Sequence, residues 1–188
     1  MKINKIIYIF IFLFFTNGEI MAENNQNLIT MVITQNEKVT DPNEESPTAS
    51  VVIELFPDIA PNHVKQIKTL ISEEFYDGII FHRVIEGFMA QTGDPTGTGM
   101  GGSDLPDIRA EFTRTPFERG TLGMARSQHP DSANSQFFIC FQEASFLNNQ
   151  YTVFGRVKEG MEFIDKIVRG EPPEFPDKIV SIRLSENN

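Results

Sequence analysis

Residues 81–91 read FHRVIEGFMAQ, and they place an arginine inside a segment that is otherwise mostly apolar. Ile79–Val84 and Phe88–Gln91 have the β-branched and aromatic composition of strands, and Glu86-Gly87 between them is a turn signal. Arg83 therefore lies in a strand that is predicted to be half buried. Taken alone, the pattern allows two interpretations: a packed core with one surface arginine, or an apolar binding surface that carries one cation.

Short strands of similar composition recur on both sides of this hairpin. We predict them at Leu28–Gln35, Val51–Leu55, Thr121–Ala125, Gln136–Phe141, Thr152–Val157 and Ile179–Leu184. Pro61–Glu74 is predicted to be a helix, because its apolar residues recur every three or four positions and Pro61 suits a first helical turn. Met161–Val168 is predicted to be a second helix. Many short strands with two helices indicate a mainly β domain, a small barrel or sandwich with helical caps.

The composition fits one globular domain with a sizeable core. Of the 188 residues, 40% are hydrophobic and 17 are phenylalanine, which disfavours disorder. The formal net charge of −10 argues against nucleic acid or an anionic membrane surface as the main partner. A single cysteine excludes an intrachain disulfide and a cysteine-based zinc cluster, and three histidines leave little material for a metal site. We therefore expect no metal and no cofactor.

The first segment, Met1–Ala22, has the pattern of a secretory signal peptide. Lys2 and Lys5 precede Ile6–Phe15, an unbroken run of ten apolar residues. This run suits the core of a signal peptide and is too short to span a bilayer, which needs about 20 residues. Cleavage after Ala22 would leave residues 23–188 as a periplasmic or secreted domain with no membrane attachment. Alternatively, translation starts at Met21 and the domain is cytoplasmic.

Several other motifs are better explained by structure than by chemistry. Gly97-x-Gly99-x-x-Gly102 matches a dinucleotide-binding fingerprint, but Ser103–Pro106 follows it instead of a helix, so tight turns explain the glycines better. Cys140 lies among apolar residues with no evident base nearby, which favours a core side chain over a nucleophile. His63 is expected at the surface or as a cap beside the start of the first helix, and His129 is expected in a solvated loop.

Three further blocks of sequence follow residues 81–91. They are Gly120-Thr121-Leu122-Gly123-Met124-Ala125, Ser135-Gln136-Phe137-Phe138-Ile139 and Phe146-Leu147-Asn148-Asn149-Gln150-Tyr151-Thr152-Val153-Phe154-Gly155. In this order the four blocks resemble the cyclophilin family of peptidyl-prolyl isomerases, and the short bacterial members most. The resemblance runs from about Leu28 to Leu184. It implies a closed eight-stranded antiparallel barrel capped by two α-helices, with the substrate groove on the outer face.

The resemblance also implies a role for each site residue. Arg83 is the catalytic residue. The substrate-binding residues are His82, Phe88, Met89, Gln91, Ala125, Arg126, Gln136, Phe138, Phe146, Leu147 and Tyr151. Three of these depart from patterns that are common in the family: Phe146 stands where most eukaryotic members have Trp, Tyr151 where they have His, and Arg126 where many members have Asn.

The activity implied by the resemblance is rotation about X-Pro peptide bonds in proline-containing peptides and unfolded client proteins, which assists protein folding. This reaction makes and breaks no bond, so it needs neither a metal nor a cofactor. We expect a monomer that binds cyclosporin weakly, because Phe146 has no N–H to donate to the drug where sensitive members have Trp. Two alternatives remain: a module that binds proline segments without useful turnover, and a small-ligand β-barrel of the lipocalin type.

Overall fold

The computed structural model describes residues 27–36 and 45–185, and the predicted signal peptide and the alternative start at Met21 lie outside the described residues. The described elements are, in chain order, β1 (Leu28–Thr34), β2 (Thr48–Leu55), α1 (Pro61–Ser72), β3 (Arg83–Ile85), β4 (Met89–Thr92), β5 (Thr121–Met124), β6 (Phe137–Cys140), a short 3₁₀ helix (Ser145–Leu147), β7 (Val153–Glu159), α2 (Met161–Ile164) and β8 (Ile179–Leu184). Every predicted strand and helix has a counterpart, with shifted ends. The mainly β fold class is therefore confirmed.

The eight described strands form one antiparallel sheet in the order β3-β4-β6-β5-β7-β2-β1-β8. β3 and β8 are the edges of this sheet, so its ladder is open and does not by itself form the closed barrel expected from the resemblance. The two edges approach each other just before each strand, where Ile80 and Lys178 form an isolated antiparallel bridge. Beside this bridge, Phe81 N donates to Asp177 O at 2.9 Å.

The main core lies between one face of this sheet and α1. Alternation along β1 turns Ile29, Met31 and Ile33 into the core. α1 begins with proline in its first turn, where a missing N–H costs no helical hydrogen bond. It buries an apolar stripe with three- and four-residue spacing, formed by Val64, Ile67, Leu70 and Ile71. No helix within the described ranges is long and apolar enough to cross a membrane.

β6 is buried on both faces, so its side chains contribute to an apolar cluster on each side of the sheet. Phe137 and Ile139 belong to the main core, whereas Phe138 and Cys140 belong to a second apolar cluster. The other buried members of this second cluster are Met89, Phe117, Ala144, Leu147 and Val153. The sheet therefore has an apolar floor on the face opposite its main core.

Two predicted elements differ from the structure because distant groups bind their backbone. The second helix, predicted to reach Val168, ends at Ile164. Val168 N donates to a carboxylate oxygen of Asp177 at 2.8 Å instead of continuing the helix. The strand predicted from residue 79 is regular only from Arg83, since the preceding residues make the isolated bridge described above.

His63 is buried, so the expected surface position is wrong. Its Nδ1 lies 2.7 Å from Oε2 of Glu111. The Glu111 carboxylate also accepts the backbone N–H groups of Asn62 and His63, each at 3.2 Å, and so caps the first turn of α1. Burial lowers the pKa of His63, an effect that the hydrogen bond to Glu111 offsets only in part. The imidazole is therefore neutral at pH 7, and its Nδ1–H donates to Glu111.

Candidate functional site

A groove of about 910 Å³ lies over the second apolar cluster. Eleven of the twelve site residues predicted from the sequence line it: His82, Arg83, Phe88, Met89, Gln91, Ala125, Arg126, Phe138, Phe146, Leu147 and Tyr151. The twelfth, Gln136, lines an adjoining pocket of about 430 Å³. The fold thus brings together residues from four separate blocks of the sequence.

The floor of the groove is apolar and closely packed. Met89, Phe138 and Leu147 are all buried. The Phe138 ring stacks on Phe117, with ring centroids 5.7 Å apart, and meets the edge of Tyr151 at 5.8 Å. These contacts fix the floor as a rigid surface on which an apolar ring can be bound.

Gly123 is a structural requirement of this floor that the sequence reasoning missed. It lies opposite Phe138 in the pairing of β5 with β6. A Cβ at this position would collide with the rings of Phe138 and Phe117, so any larger residue would displace them. Gly123 belongs to one of the four sequence blocks, but the need for a glycine follows only from the strand register that places it opposite Phe138.

One wall of the groove is a pair of phenylalanines. The short 3₁₀ helix turns Leu147 inward and leaves Phe146 at the rim, where 63% of its surface is exposed. The rings of Phe146 and Phe88 have centroids 5.3 Å apart. Phe146 therefore offers an apolar contact to a ligand without supporting the core.

Arg83 supplies the cation of the groove. It lies in β3 opposite Gln91 of β4, with its side chain 41% exposed. Its Nε donates to Oε2 of Glu171 at 2.8 Å, which is the one hydrogen bond of the Arg83 side chain within the described residues. Its terminal amino groups are thus free to bind a ligand. The sequence reasoning missed Glu171, although this residue and Pro172 also line the groove.

The polar wall is held by two glutamines and a glycine-rich loop. Gln91 Nε2 donates to Gln136 Oε1 at 2.8 Å, and Gln136 Nε2 donates in turn to the carbonyl oxygens of Gly99 and Gly101. The loop wraps around the Asp94 carboxylate. Burial alone would raise the pKa of Asp94, but hydrogen bonds from residues 96, 99 and 101 outweigh burial and lower it to about 2. Gly97 and Gly99 of the glycine motif have positive φ angles within this loop, as tight turns require, and the carboxylate at its centre was not foreseen from the sequence.

His82 lies between this loop and Arg83. It is 5% exposed, and neither ring nitrogen has a hydrogen-bond partner within the described residues. Burial is the largest effect on the pKa of His82 and lowers it. His82 therefore adds no second positive charge beside Arg83 at neutral pH.

Arg126 packs against Tyr151, and together they form a wall of the groove. Its guanidinium carbon lies 4.5 Å from the centre of the Tyr151 ring. The same group donates to the backbone oxygens of Ser127, Gln128 and Gln150. Because these contacts occupy the guanidinium, Arg126 braces the wall and its charge is shared with protein carbonyls.

Cys140 lies inside the protein, away from solvent. Cys140 is fully buried in β6, and burial raises the pKa of its thiol to about 12. The prediction that it is a core side chain is confirmed. Among the residues that the structure describes, no group of three or more His, Cys, Asp or Glu side chains is placed to hold a metal ion.

Comparisons with known proteins agree with this geometry. The family model for cyclophilin type peptidyl-prolyl cis-trans isomerase matches residues 43–184. A probable peptidyl-prolyl cis-trans isomerase of Brucella suis is 54% identical over 150 residues, which cover 71% of this chain and 76% of the relative. A peptidyl-prolyl cis-trans isomerase of Helicobacter pylori is 42% identical over 126 residues, 65% of this chain and 76% of that protein.

Solved structures extend the similarity to the whole sheet. A cyclophilin type peptidyl-prolyl cis-trans isomerase from Cryptosporidium parvum has a TM-score of 0.74 at 27% identity, covering 86% of this chain and 99% of its own. The same protein in the presence of the dipeptide Ala-Pro has a TM-score of 0.71 at 29% identity, with 84% and 99% covered. The resemblance in the sequence is thereby confirmed, and the chain belongs to the cyclophilin-type peptidyl-prolyl cis-trans isomerases, enzymes of class EC 5.2.1.8.

Proposed function

We propose that this groove binds a proline-containing segment and that Arg83 catalyses rotation about the peptide bond before the proline. The observation that carries the proposal is the position of Arg83. Its terminal amino groups have no hydrogen-bond partner in residues 27–36 and 45–185, and they border an apolar floor. The Cryptosporidium parvum structure in the presence of Ala-Pro supports this class of ligand.

The chemistry requires a donor and an apolar surface. Rotation about a peptide bond is slow because partial C–N double-bond character creates a barrier of about 18–20 kcal/mol. In the twisted transition state the proline nitrogen becomes pyramidal and regains a lone pair. A guanidinium N–H aimed at that nitrogen binds the twisted state more strongly than the planar one, and every ~1.4 kcal/mol of this difference gives a tenfold faster rate.

The other residues of the groove divide into two groups. The proline ring is held by the apolar residues Phe88, Met89, Phe138, Phe146 and Leu147. The peptide backbone is held by the polar and backbone groups of His82, Gln91, Ala125, Arg126 and Gln136, with Tyr151 closing the wall. Fixing the ring while the preceding carbonyl group rotates confines the motion to one bond. A proline ring bound on the apolar floor would displace water from one side of Arg83, which strengthens the field of the guanidinium.

Replacement of Arg83 tests the proposal. Arg83→Ala is expected to lower kcat/KM on a proline-containing tetrapeptide by about tenfold to several hundredfold, since a charge-assisted hydrogen bond specific to the transition state is lost. Arg83→Lys is expected to be impaired too, because an ammonium cannot reproduce the planar fork. The matched control is Arg156→Ala, which removes an exposed arginine of β7 outside the groove and should leave activity unchanged.

Two results would contradict the proposal. Full activity of Arg83→Ala with an unchanged melting curve would remove Arg83 from the mechanism. A wild-type protein that binds the peptide but does not accelerate its isomerisation would favour the alternative of a binding module. The lipocalin-type alternative has no support in the fold, because the interior of the sheet is filled by side chains of the main core.

The response to cyclosporin and the oligomeric state are further parts of the proposal. We propose weak cyclosporin binding, because Phe146 gives an apolar wall but no N–H donor at the rim. We also propose that the protein acts as a monomer on unfolded client chains.

Export and closure of the barrel are proposed on separate grounds. The lysines and the apolar run of Met1–Ala22 support a signal peptide, removal of which leaves residues 23–188 in the periplasm or outside the cell. Mass spectrometry of the cell-derived protein tests this, and a cytoplasmic protein that begins at Met21 would contradict it.

The bridge between Ile80 and Lys178 supports closure of the two sheet edges into an eight-stranded barrel capped by α1 and α2.

A further inference from the structure

Glu171 lies opposite Arg83 because of one antiparallel bridge. Val84 and Gly170 exchange both backbone hydrogen bonds, at 2.8 and 3.0 Å. In antiparallel pairing this register sets the preceding residue, Arg83, opposite the following residue, Glu171. The two side chains meet on the groove side, where both line the pocket and Arg83 Nε donates to Glu171 Oε2 at 2.8 Å.

The backbone around Glu171 is restricted. Gly170 has a φ of +150°, and a Cβ at this position would come within 2.5 Å of Cα of Pro173. Glu171 is followed by two prolines, whose φ angles are fixed by their rings. The carboxylate is therefore presented from a constrained segment and not from a free loop.

The contact with Glu171 is made at the inner nitrogen of the guanidinium. Nε is the atom nearest to the aliphatic stem, so a bond there fixes the plane of the group while leaving both terminal amino groups free. The Arg83 side chain has no other hydrogen bond in the part of the chain that the structure describes. The direction in which its terminal donors point thus depends on this one carboxylate.

We propose that Glu171 is a positioning residue for Arg83, which holds the guanidinium plane in the orientation that serves the transition state. The inference rests on the proposed function of Arg83. Because Glu171 acts on the orientation of a donor that remains present without it, its loss lowers kcat and leaves KM nearly unchanged.

A second ion pair provides a matched control. Arg169 Nε donates to Glu86 Oε2 at 2.6 Å, on the other side of the same bridge. This pair joins the same two atoms, although Glu86 is more exposed than Glu171 and Arg169 also donates to the backbone oxygens of Asp165 and Ile167. Neither residue of the pair lines the groove. Replacing Glu86 therefore removes the same kind of contact, a carboxylate on an arginine Nε, at a place where no catalytic group is held.

The test is a double-mutant cycle on the full-length mature protein, with isomerisation of a proline-containing tetrapeptide followed by exchange NMR. Glu171→Ala is expected to lower kcat by about threefold to tenfold with little change in KM. Glu171→Gln, which keeps an acceptor oxygen for Nε, is expected to lie closer to wild type than Glu171→Ala does. Glu86→Ala is expected to match wild type. In the Arg83→Ala background, Glu171→Ala is expected to have no further effect.

A spectroscopic readout separates positioning from general damage. The side-chain Nε–H signal of Arg83, assigned by its loss in Arg83→Ala, should exchange with water faster in Glu171→Ala and not in Glu86→Ala. Wild-type kcat in Glu171→Ala, an equal loss in both backgrounds, or a Glu171→Gln variant as slow as Glu171→Ala would overturn the inference. If Arg83→Ala itself keeps full activity, the proposed function fails first, and the inference fails with it.

Discussion

Glu111 and Glu171 each bind one basic side chain, but they do so in opposite environments. Glu111 holds His63, whose side chain is completely buried, and its own side chain is only 15% exposed. Glu171 holds Arg83 at the rim of the groove, where the two side chains are 53% and 41% exposed. Both pairs have short distances, 2.7 and 2.8 Å, so the contact geometry alone does not distinguish them.

Burial decides what each pair does. The Glu111 carboxylate accepts four hydrogen bonds from the first turn of α1, including two backbone donors that have no other cap. It therefore joins a helix to a distant loop, and its loss leaves buried donors unpaired. An exposed pair such as that of Glu171 adds little to stability, about 0–1 kcal/mol, because water replaces the lost contact. The role inferred for this pair is to orient the Arg83 guanidinium.

The largest expected effect comes from Glu111→Ala. We expect the free energy of unfolding to fall by about 1–3 kcal/mol, since the buried His63 ring and its backbone N–H lose a charged acceptor, whereas the exposed donors of Asn62 bind water instead. Activity per folded molecule should not change, because Glu111 does not line the groove. Urea unfolding followed by circular dichroism measures the loss.

The matched change at the other pair sharpens the comparison. Glu171→Ala should leave the unfolding curve close to that of wild type. Equal losses of stability in the two alanine variants would break the argument that burial separates the two pairs. Glu111→Gln keeps an acceptor and should recover part of the stability lost in Glu111→Ala.

Phe146 is a second exposed group of the groove, and like Glu171 it is expected to affect function more than stability. Its ring lies at the rim, so a change there should alter ligand binding and not stability. Without an N–H donor, one carbonyl of cyclosporin would be buried unpaired, at a cost of about 1–3 kcal/mol. That cost corresponds to inhibition about 5- to 150-fold weaker than in a protein with Trp at this position.

Phe146→Trp should therefore tighten cyclosporin inhibition and change turnover of the proline peptide much less. Inhibition curves for the wild type and the variant check this expectation. Tight inhibition of the wild type would refute it. Restoration need not be complete, since the bulk of Tyr151, which also lines the groove, would oppose the drug as well.

The smallest expected effect is a pH dependence of stability that arises at the buried pair. The pKa of His63 is lowered from its ordinary value of 6.5, chiefly by burial. Burial alone would raise the pKa of Glu111, but hydrogen bonds from His63 and Asn62 hold it below 4.5. Below about pH 6.5 the unfolded chain thus binds more protons than the folded chain, and stability falls as the pH falls.

Urea unfolding between pH 7.5 and pH 5 measures this slope. His63→Gln should flatten it, with a remainder from His82, whose pKa burial also lowers. Glu171→Gln removes only an exposed contact that adds little to stability, so this control variant should keep the wild-type slope. Identical slopes for wild type and His63→Gln would show that His63 is not the group that titrates.

Most of the groove could be predicted because its residues occur in compact sequence blocks. Residues 81–91 form β3, a turn and β4, so Arg83 and Gln91 are paired by a local hairpin. Alternation in β6 places Phe138 on the face opposite Phe137, as a strand must. Eleven of the twelve predicted residues line one groove for this reason, and the twelfth binds one of them.

The sequence by itself determined the class of fold and the order of its strands and helices, because alternation, turns and helical spacing are local properties. The apolar and cationic residues of the groove were assigned through the resemblance of four sequence blocks to a known family. Only the tertiary structure decided which carboxylates matter. Glu111 is 48 residues from His63, and Glu171 is 88 residues from Arg83. The sequence contains 26 acidic residues, and nothing local separates these two from the rest. Their roles depend on which distant segments meet in the folded protein. They also depend on burial, which determines how strongly each carboxylate interacts with its partner and which no single segment controls.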